Sequence, residues 1–259
     1  MTALYKLETE LDKFTLYMNT LKNRSDKSKL KELSELRQIP LEIIEQADIF
    51  YVKNQAELLV PGFVDNLKDF GVISPTNNRP IFNERWVFPI KNADGKVINF
   101  VGYSNLQVER YVYGTSKYYD RTNTLYGLEN IRDAYKLGYA ILTEGITDSL
   151  AVRGLGYKNV FAWCGTSDSK FKIKQLNRCK HGVIRIPDRD LPGERLKKVW
   201  EFNRYYTLTT LLGSKDSAEM LSKGEELREY YKECLEIAIS WVLSAEHNGR
   251  KCASKTGIM

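Results

Sequence analysis

The chain has 259 residues, 42% of them hydrophobic and 28% charged, with a formal net charge of +6. That length buries a sizeable core in one large domain or two small ones, and the composition excludes fibrous and low-complexity classes. The longest apolar runs fall far short of the ~20 residues of a membrane span, and residues 1–6 lack the apolar stretch of a secretory signal, so a cytoplasmic chain without membrane contact is expected.

In chain order, apolar residues at Leu4, Leu7, Leu11, Phe14, Met18 and Leu21 predict an amphipathic helix over 4–22. A polar break over 23–31 follows, then short helices over 41–46 and 61–70, the second opened by Pro61 and closed by Gly71. Two strands, 86–90 and 97–101, flank Asn92-Ala93-Asp94-Gly95, which reads as a hairpin turn. After Gly138 strand and helix alternate. Strands are predicted over 140–143, 159–163, 183–186 and 207–212, with helices over 148–153, 170–178 and 193–206 between them. Alternation of this kind indicates a parallel sheet with helices packed on it. A last amphipathic helix is predicted over 225–246.

The +6 excess is concentrated. Residues 167–206 hold eleven Lys or Arg against five Asp or Glu, which suggests a basic face for a polyanionic partner, although any single lysine run can be an ordinary solvated helix face. Cys164, Cys179, Cys234 and Cys252 never approach C-x-x-C spacing, and only His181 and His247 could assist them. Isolated thiols in or near the core are expected, with no zinc site and no disulfide framework.

Ligands of an open parallel sheet bind at the carboxyl ends of its strands. Here those ends carry acids: Glu144-Gly145 with Asp148 one turn on, Asp188-Arg189-Asp190, and Lys215-Asp216 with Glu219. One such acid is ordinarily a helix cap or a solvated loop residue. Three clusters on one edge repel each other unless cations sit among them, and hard oxygen donors suit Mg²⁺ or Mn²⁺. That points to phosphodiester or nucleotidyl chemistry, with two or more ions. No G-x-x-x-x-G-K-[ST] loop exists, which excludes a motor ATPase on this chain.

The ordered set Thr143-Glu144-Gly145-x-x-Asp148, Gly165-Thr166-Ser167, Asp188-x-Asp190-x-x-Gly193 and Lys215-Asp216-x-x-Glu219 resembles the TOPRIM fold of bacterial-type (DnaG-like) DNA primases. Upstream, Arg85-Trp86-Val87-Phe88-Pro89-Ile90, Lys117-Tyr118 and Leu125-Tyr126-Gly127-Leu128 are similar to that family's basic polymerase subdomain, and Arg37-Gln38-Ile39-Pro40 to its entry segment. The resemblance spans roughly residues 37–225. It implies an α/β fold: an N-terminal helical segment (1–36), a mixed α/β basic subdomain (37–137), a TOPRIM domain with a four-stranded parallel sheet flanked by helices (138–224), and a C-terminal helix and tail (225–259).

The function implied is synthesis of short RNA primers on a single-stranded DNA template from ribonucleoside triphosphates. Glu144, Asp188 and Asp190 would be catalytic, and Glu144, Asp148, Asp188, Asp190 and Asp216 would hold the metal. Glu144 serves as ligand or proton acceptor. Arg85, Lys117, Arg189 and Arg195 would contact template or nucleotide, and Lys170, Lys174 and Arg178, four residues apart, would align on a helix to meet phosphates.

Asp216-Ser217-Ala218 replaces the Asp-Pro-Asp of cellular primases, which is closer to phage helicase–primases and implies weaker binding of one ion. Asp120 stands where the family carries Asn. A TOPRIM nuclease and a non-catalytic nucleic-acid-binding replication subunit are the competing readings. Because nothing here can build a zinc module, a replicative helicase or a zinc-bearing subunit is the expected partner. The first and last helices are candidate docking surfaces unless they pack against the core.

Overall fold

The structure, a computed structural model, describes residues 2–165, 169–189, 202–209 and 214–244, with side chains from residue 10 onward. The chain divides into two units, Met1–Leu36 with Pro40–Tyr119, and Arg37–Ile39 with Asp120–Met259. This division differs from the expected boundaries at 36 and 137. The N-terminal helix packs into the first unit's core, and residues 120–137 join the second because Tyr126 forms an antiparallel bridge with Ala162.

In the first unit, helix α1 (Thr2–Arg24) buries Phe14, Tyr17, Met18 and Leu21 against an antiparallel sheet. The sheet runs in the order β1 (Phe50–Val52), β2 (Arg85–Lys91), β3 (Val97–Tyr103), β4 (Tyr111–Tyr113). Phe14 stacks on Phe70 at 4.3 Å and meets Phe100 edge-on at 5.0 Å, so α1 is part of the core and not a free docking helix. The β2–β3 hairpin turns as its sequence predicts. Asn92 Oδ1 accepts the amides of Asp94 and Lys96, each at 3.0 Å, and Gly95 takes the left-handed φ of +78° the turn needs.

Two expectations fail in this unit. The break over 23–31 is much shorter, because Asp26 Oδ1 accepts the Ser28 amide and starts helix α2 (Lys27–Arg37). The helix over 61–70 does not form. Gly62 sits at φ +87° and Phe63 at φ −123°, ψ 0°, so only a 3₁₀ turn at Val64–Asn66 survives while Phe70 enters the core. Helix α3 (Leu41–Gln46) matches its prediction, whereas helix α4 (Gln55–Leu58), β1 and β4 are too short to show a period.

The second unit holds helix α5 (Ile131–Leu137) and a parallel sheet. Its elements are β5 (Tyr139–Thr143), α6 (Ile146–Arg153), β6 (Val160–Ala162), α7 (Lys170–Leu176), β7 (Gly182–Ile186) and β8 (Tyr205–Thr207). Strand order is β6-β5-β7-β8, so the chain reverses direction across the sheet between β5 and β7. Helices α8 (Ser217–Leu221) and α9 (Glu225–Ser244) follow, and α9 buries Tyr231, Leu235, Ala238 and Val242.

The last strand begins two residues earlier than predicted. Tyr205 and Tyr206 pair with Val183 and Ile184 and so lie in β8, where a helix was expected to run through 206. Residues 193–201 and 210–212 of those predictions lie outside the described residues. Helix α7 stops at Leu176, before Arg178. Cys164 and Cys179 are buried and Cys234 half-buried, whereas Cys252 lies outside the described residues. Among the described residues no helix is long and apolar enough to cross a membrane.

Candidate active site

The reversal between β5 and β7 creates a crevice at the carboxyl edge of the sheet, where open α/β sheets bind ligands. Glu144 directly follows β5 and Asp188 lies two residues beyond β7. Glu144 Oε1 accepts the Asp188 amide at 2.9 Å. At the β5 end, the Thr143 hydroxyl donates to the Gly145 carbonyl at 3.1 Å, and the Cys164 amide donates to the Glu144 carbonyl at 3.1 Å. The backbone of the first cluster is thereby held by its own Thr143 hydroxyl and by the turn after β6.

Gly145 precedes α6, and α6 carries Asp148 in its first turn. Asp148 is buried, and its Oδ1 accepts the Ala218 amide at 2.9 Å. Its other oxygen lies so close to Gly145 that a Cβ there would sit 2.5 Å from Oδ2. The glycine serves close approach, since its φ of −95° suits any residue.

Asp216 caps α8 by accepting the Glu219 amide at 2.8 Å, while Glu219 Oε2 accepts the Lys215 amide at 2.9 Å. This is a near-reciprocal cap that aims the first turn of α8 at Asp148. The Lys215 carbonyl takes the Arg189 amide at 2.8 Å, and Lys215 Nζ stands 3.8 Å from Asp188 Oδ2. Three segments far apart in sequence thus form one structure.

The electrostatics are those of crowded carboxylates. Burial drives the Asp148 carboxyl well above the ordinary range, and the charges of Asp216 and Asp188 push the same way. The Ala218 amide and Arg37 offset this only in part. Glu219 is held below its usual value by the Lys215 amide and Lys223. Hard oxygen donors that repel one another fit a divalent cation. Among the described residues no three acids, histidines or cysteines close into a metal cage, and Asp190 lies outside the described residues.

The expected basic residues divide. Lys170, Lys174 and Arg178 are exposed, but Arg178 is beyond the end of α7 and its guanidinium covers the Tyr135 ring at 4.6 Å. Arg189 is exposed, and Arg195 lies outside the described residues. In the first unit, Arg85 is buried. Its guanidinium donates to the carbonyls of Glu109 (2.8 Å) and Arg110 (3.2 Å) and to Gln107 Oε1 (2.5 Å), which makes it the holder of the 104–110 loop. Lys117 Nζ is ion-paired with Asp69 at 2.8 Å and Glu10 at 3.2 Å.

The basic stretch is also less of a surface than its sequence implies, since Lys172 and Arg185 are buried. Lys172 was legible in principle. Helical periodicity turns it away from Lys170 and Lys174.

Residues 16–132 match the family described as "DNA primase catalytic core, N-terminal domain". Over these residues the chain is similar to the DnaG-type primase catalytic core. It is 29% identical over 190 residues to the DNA primase of Aquifex aeolicus, covering 69% of this chain and 37% of that protein. It is similar in fold to a DnaG primase catalytic domain bound to ssDNA (TM-score 0.72, 22% identity, 91% of this chain and 82% of that one). The Aquifex aeolicus primase structure of zinc-binding and RNA polymerase domains is similar as well (TM-score 0.71, 23% identity, 88% and 60%). The matched part of the chain spans between 31% and 39% of the length of three curated relatives. The second unit carries the four-stranded parallel sheet and flanking helices expected from the sequence, matching the fold of these catalytic-core structures.

Proposed function

We propose that this chain synthesises short RNA primers on single-stranded DNA by divalent-metal-dependent nucleotidyl transfer. One observation carries the reading: Glu144, Asp148, Asp188 and Asp216 are delivered by three separate segments to the sheet edge where the strand order reverses, within a chain similar to the DnaG-type core.

The chain's own residues would act as follows. Glu144 keeps its carboxylate at the β5–β7 crevice while holding the Asp188 backbone, ready to accept the 3′-hydroxyl proton or to ligate metal. Asp188 would meet the reacting phosphate, with Asp148 and Asp216 supporting it, and the sequence resemblance assigns Asp190, outside the described residues, to the same task. A bound Mg²⁺ or Mn²⁺ would relieve the repulsion among these acids and neutralise charge developing on the phosphate. Lys170, Lys174 and Arg189 are exposed and suited to backbone phosphates.

The template reading is supported by the related catalytic domain bound to ssDNA, and a zinc-bearing partner by the Aquifex aeolicus structure that contains zinc-binding and RNA polymerase domains. A replicative helicase is the other proposed partner. The test is incubation of the purified chain with single-stranded DNA, labelled ribonucleotides and Mg²⁺ or Mn²⁺. Elongated RNA is expected. Degradation of the DNA would favour a nuclease, no reaction a binding subunit, and wild-type synthesis by E144Q, D188N and D190N would overturn the assignment of these acids.

A further inference from the structure

The turn after β6 is held by two cations. The Trp163 carbonyl accepts the Lys172 ammonium at 2.6 Å, and the next carbonyl, that of Cys164, accepts Arg121 Nε at 2.9 Å. The amides of the same two residues point to the end of β5, donating to the carbonyls of Thr143 (3.0 Å) and Glu144 (3.1 Å). Each residue is therefore gripped through both its N–H and its C=O.

The grip has something to resist. Cys164 lies at φ +58°, a left-handed conformation that a residue with a side chain adopts only when its surroundings impose it. The neighbouring residue, Gly165, is packed against the Arg121 guanidinium.

Lys172 is an unusual residue to use for packing alone. Its side chain is fully buried, with its ammonium 4.9 Å from the Trp163 ring centroid. Burial lowers its pKa to about 8, with the charge of Arg121 acting in the same direction and those of Cys164 and Asp120 against it. A buried ammonium is a poor source of stability, since its desolvation offsets much of what its hydrogen bond to the Trp163 carbonyl contributes. Between about pH 8 and the ordinary lysine value of 10.5 the unfolded chain binds more protons, so this residue's contribution to stability rises with pH across that window.

We propose that Lys172, together with Arg121, is a positioning residue for Glu144, acting through the Trp163–Cys164 backbone to fix the end of β5. This rests on the primase reading, because Glu144 then has a carboxylate whose placement sets the rate.

The experiment compares the wild-type chain with K172M and R121Q. K172M sheds the desolvation of a buried ammonium but leaves the Trp163 carbonyl without that donor, and circular dichroism should show it folded. Its kcat for ribonucleotide incorporation on a single-stranded template should fall on the order of tenfold to a hundredfold, with the ribonucleotide KM unchanged. The wild-type decline of kcat above pH about 8 should be absent from the variant. R121Q, changed at an exposed side chain, should show a smaller loss in kcat alone.

The Cys164 amide resonance should titrate near pH 8 in the wild type and shift in K172M. Wild-type kcat in either variant, or an unmoved Cys164 amide, would each overturn the proposal. A wild-type chain that joins no nucleotides would instead sink the primase reading, leaving the amide measurement to decide the positioning role.

Discussion

Asp188 donates its backbone amide to the Glu144 side chain across the β5–β7 crevice, so one carboxylate both faces the site and holds the loop that carries the next acid. The two functions separate by mutation. In E144Q the amide oxygen still accepts the Asp188 N–H, so the melting temperature should stay near wild type while nucleotidyl transfer falls about a hundredfold or more. E144A loses the acceptor as well and should cost about 1 kcal/mol more in chemical denaturation. Equal melting curves for the two would show that the bond does not secure the loop.

Gly145 tests close approach. An alanine there keeps an ordinary backbone conformation but puts its Cβ 2.5 Å from the buried Asp148 carboxyl. G145A should destabilise the chain by about 1–3 kcal/mol, as overpacking does, and lower activity by displacing Asp148. Urea denaturation followed by tryptophan fluorescence checks it, and an unchanged midpoint would contradict the close approach.

Asp48 sets a pH dependence within the first unit. Burial raises its pKa, but hydrogen bonds from Lys22 and Lys91 outweigh this and hold it below the ordinary 3.8. Because the folded value is depressed, the stabilisation is complete above the ordinary value and is lost as pH falls through the folded one. Asn tolerates the left-handed φ of +57° at this site, so D48N removes charge without backbone strain. At pH 7 it should cost about 1–2 kcal/mol, chiefly by leaving the mostly buried Lys91 unpaired, and the difference should close in acid. Melting temperatures of both proteins from pH 2 to 7 provide the comparison.

Lys170 and Lys174 carry the basic-face hypothesis, because Arg178 is beyond the end of α7 and engaged with Tyr135. Neutralising both lysines should weaken single-stranded DNA binding and reduce the salt slope by roughly 0.7 for each phosphate that no longer meets a cation. Neutralising Arg178 should change the slope less. A slope indifferent to all three would leave them an ordinary solvated face.

Residues close in sequence determine much of this protein. The amphipathic period of α1, the Asn92–Gly95 turn and the strand–helix alternation after Gly138 each state a local preference that the fold obeys. So does the order of the acidic clusters, which points to one sheet edge because a parallel sheet puts every strand's carboxyl end on the same side. Tertiary structure decided what the polar residues do there. Arg85 became a buried loop holder and Lys117 an ion-pair partner, because their acceptors lie on segments that no local pattern connects to them. Helical phase sets Lys172 apart from Lys170 and Lys174, yet only the packed chain gives its ammonium the Trp163 carbonyl. Periodicity records which face of an element is turned inward. Only the packed chain supplies the distant carbonyl or carboxylate that makes a buried charge tolerable and gives it a task.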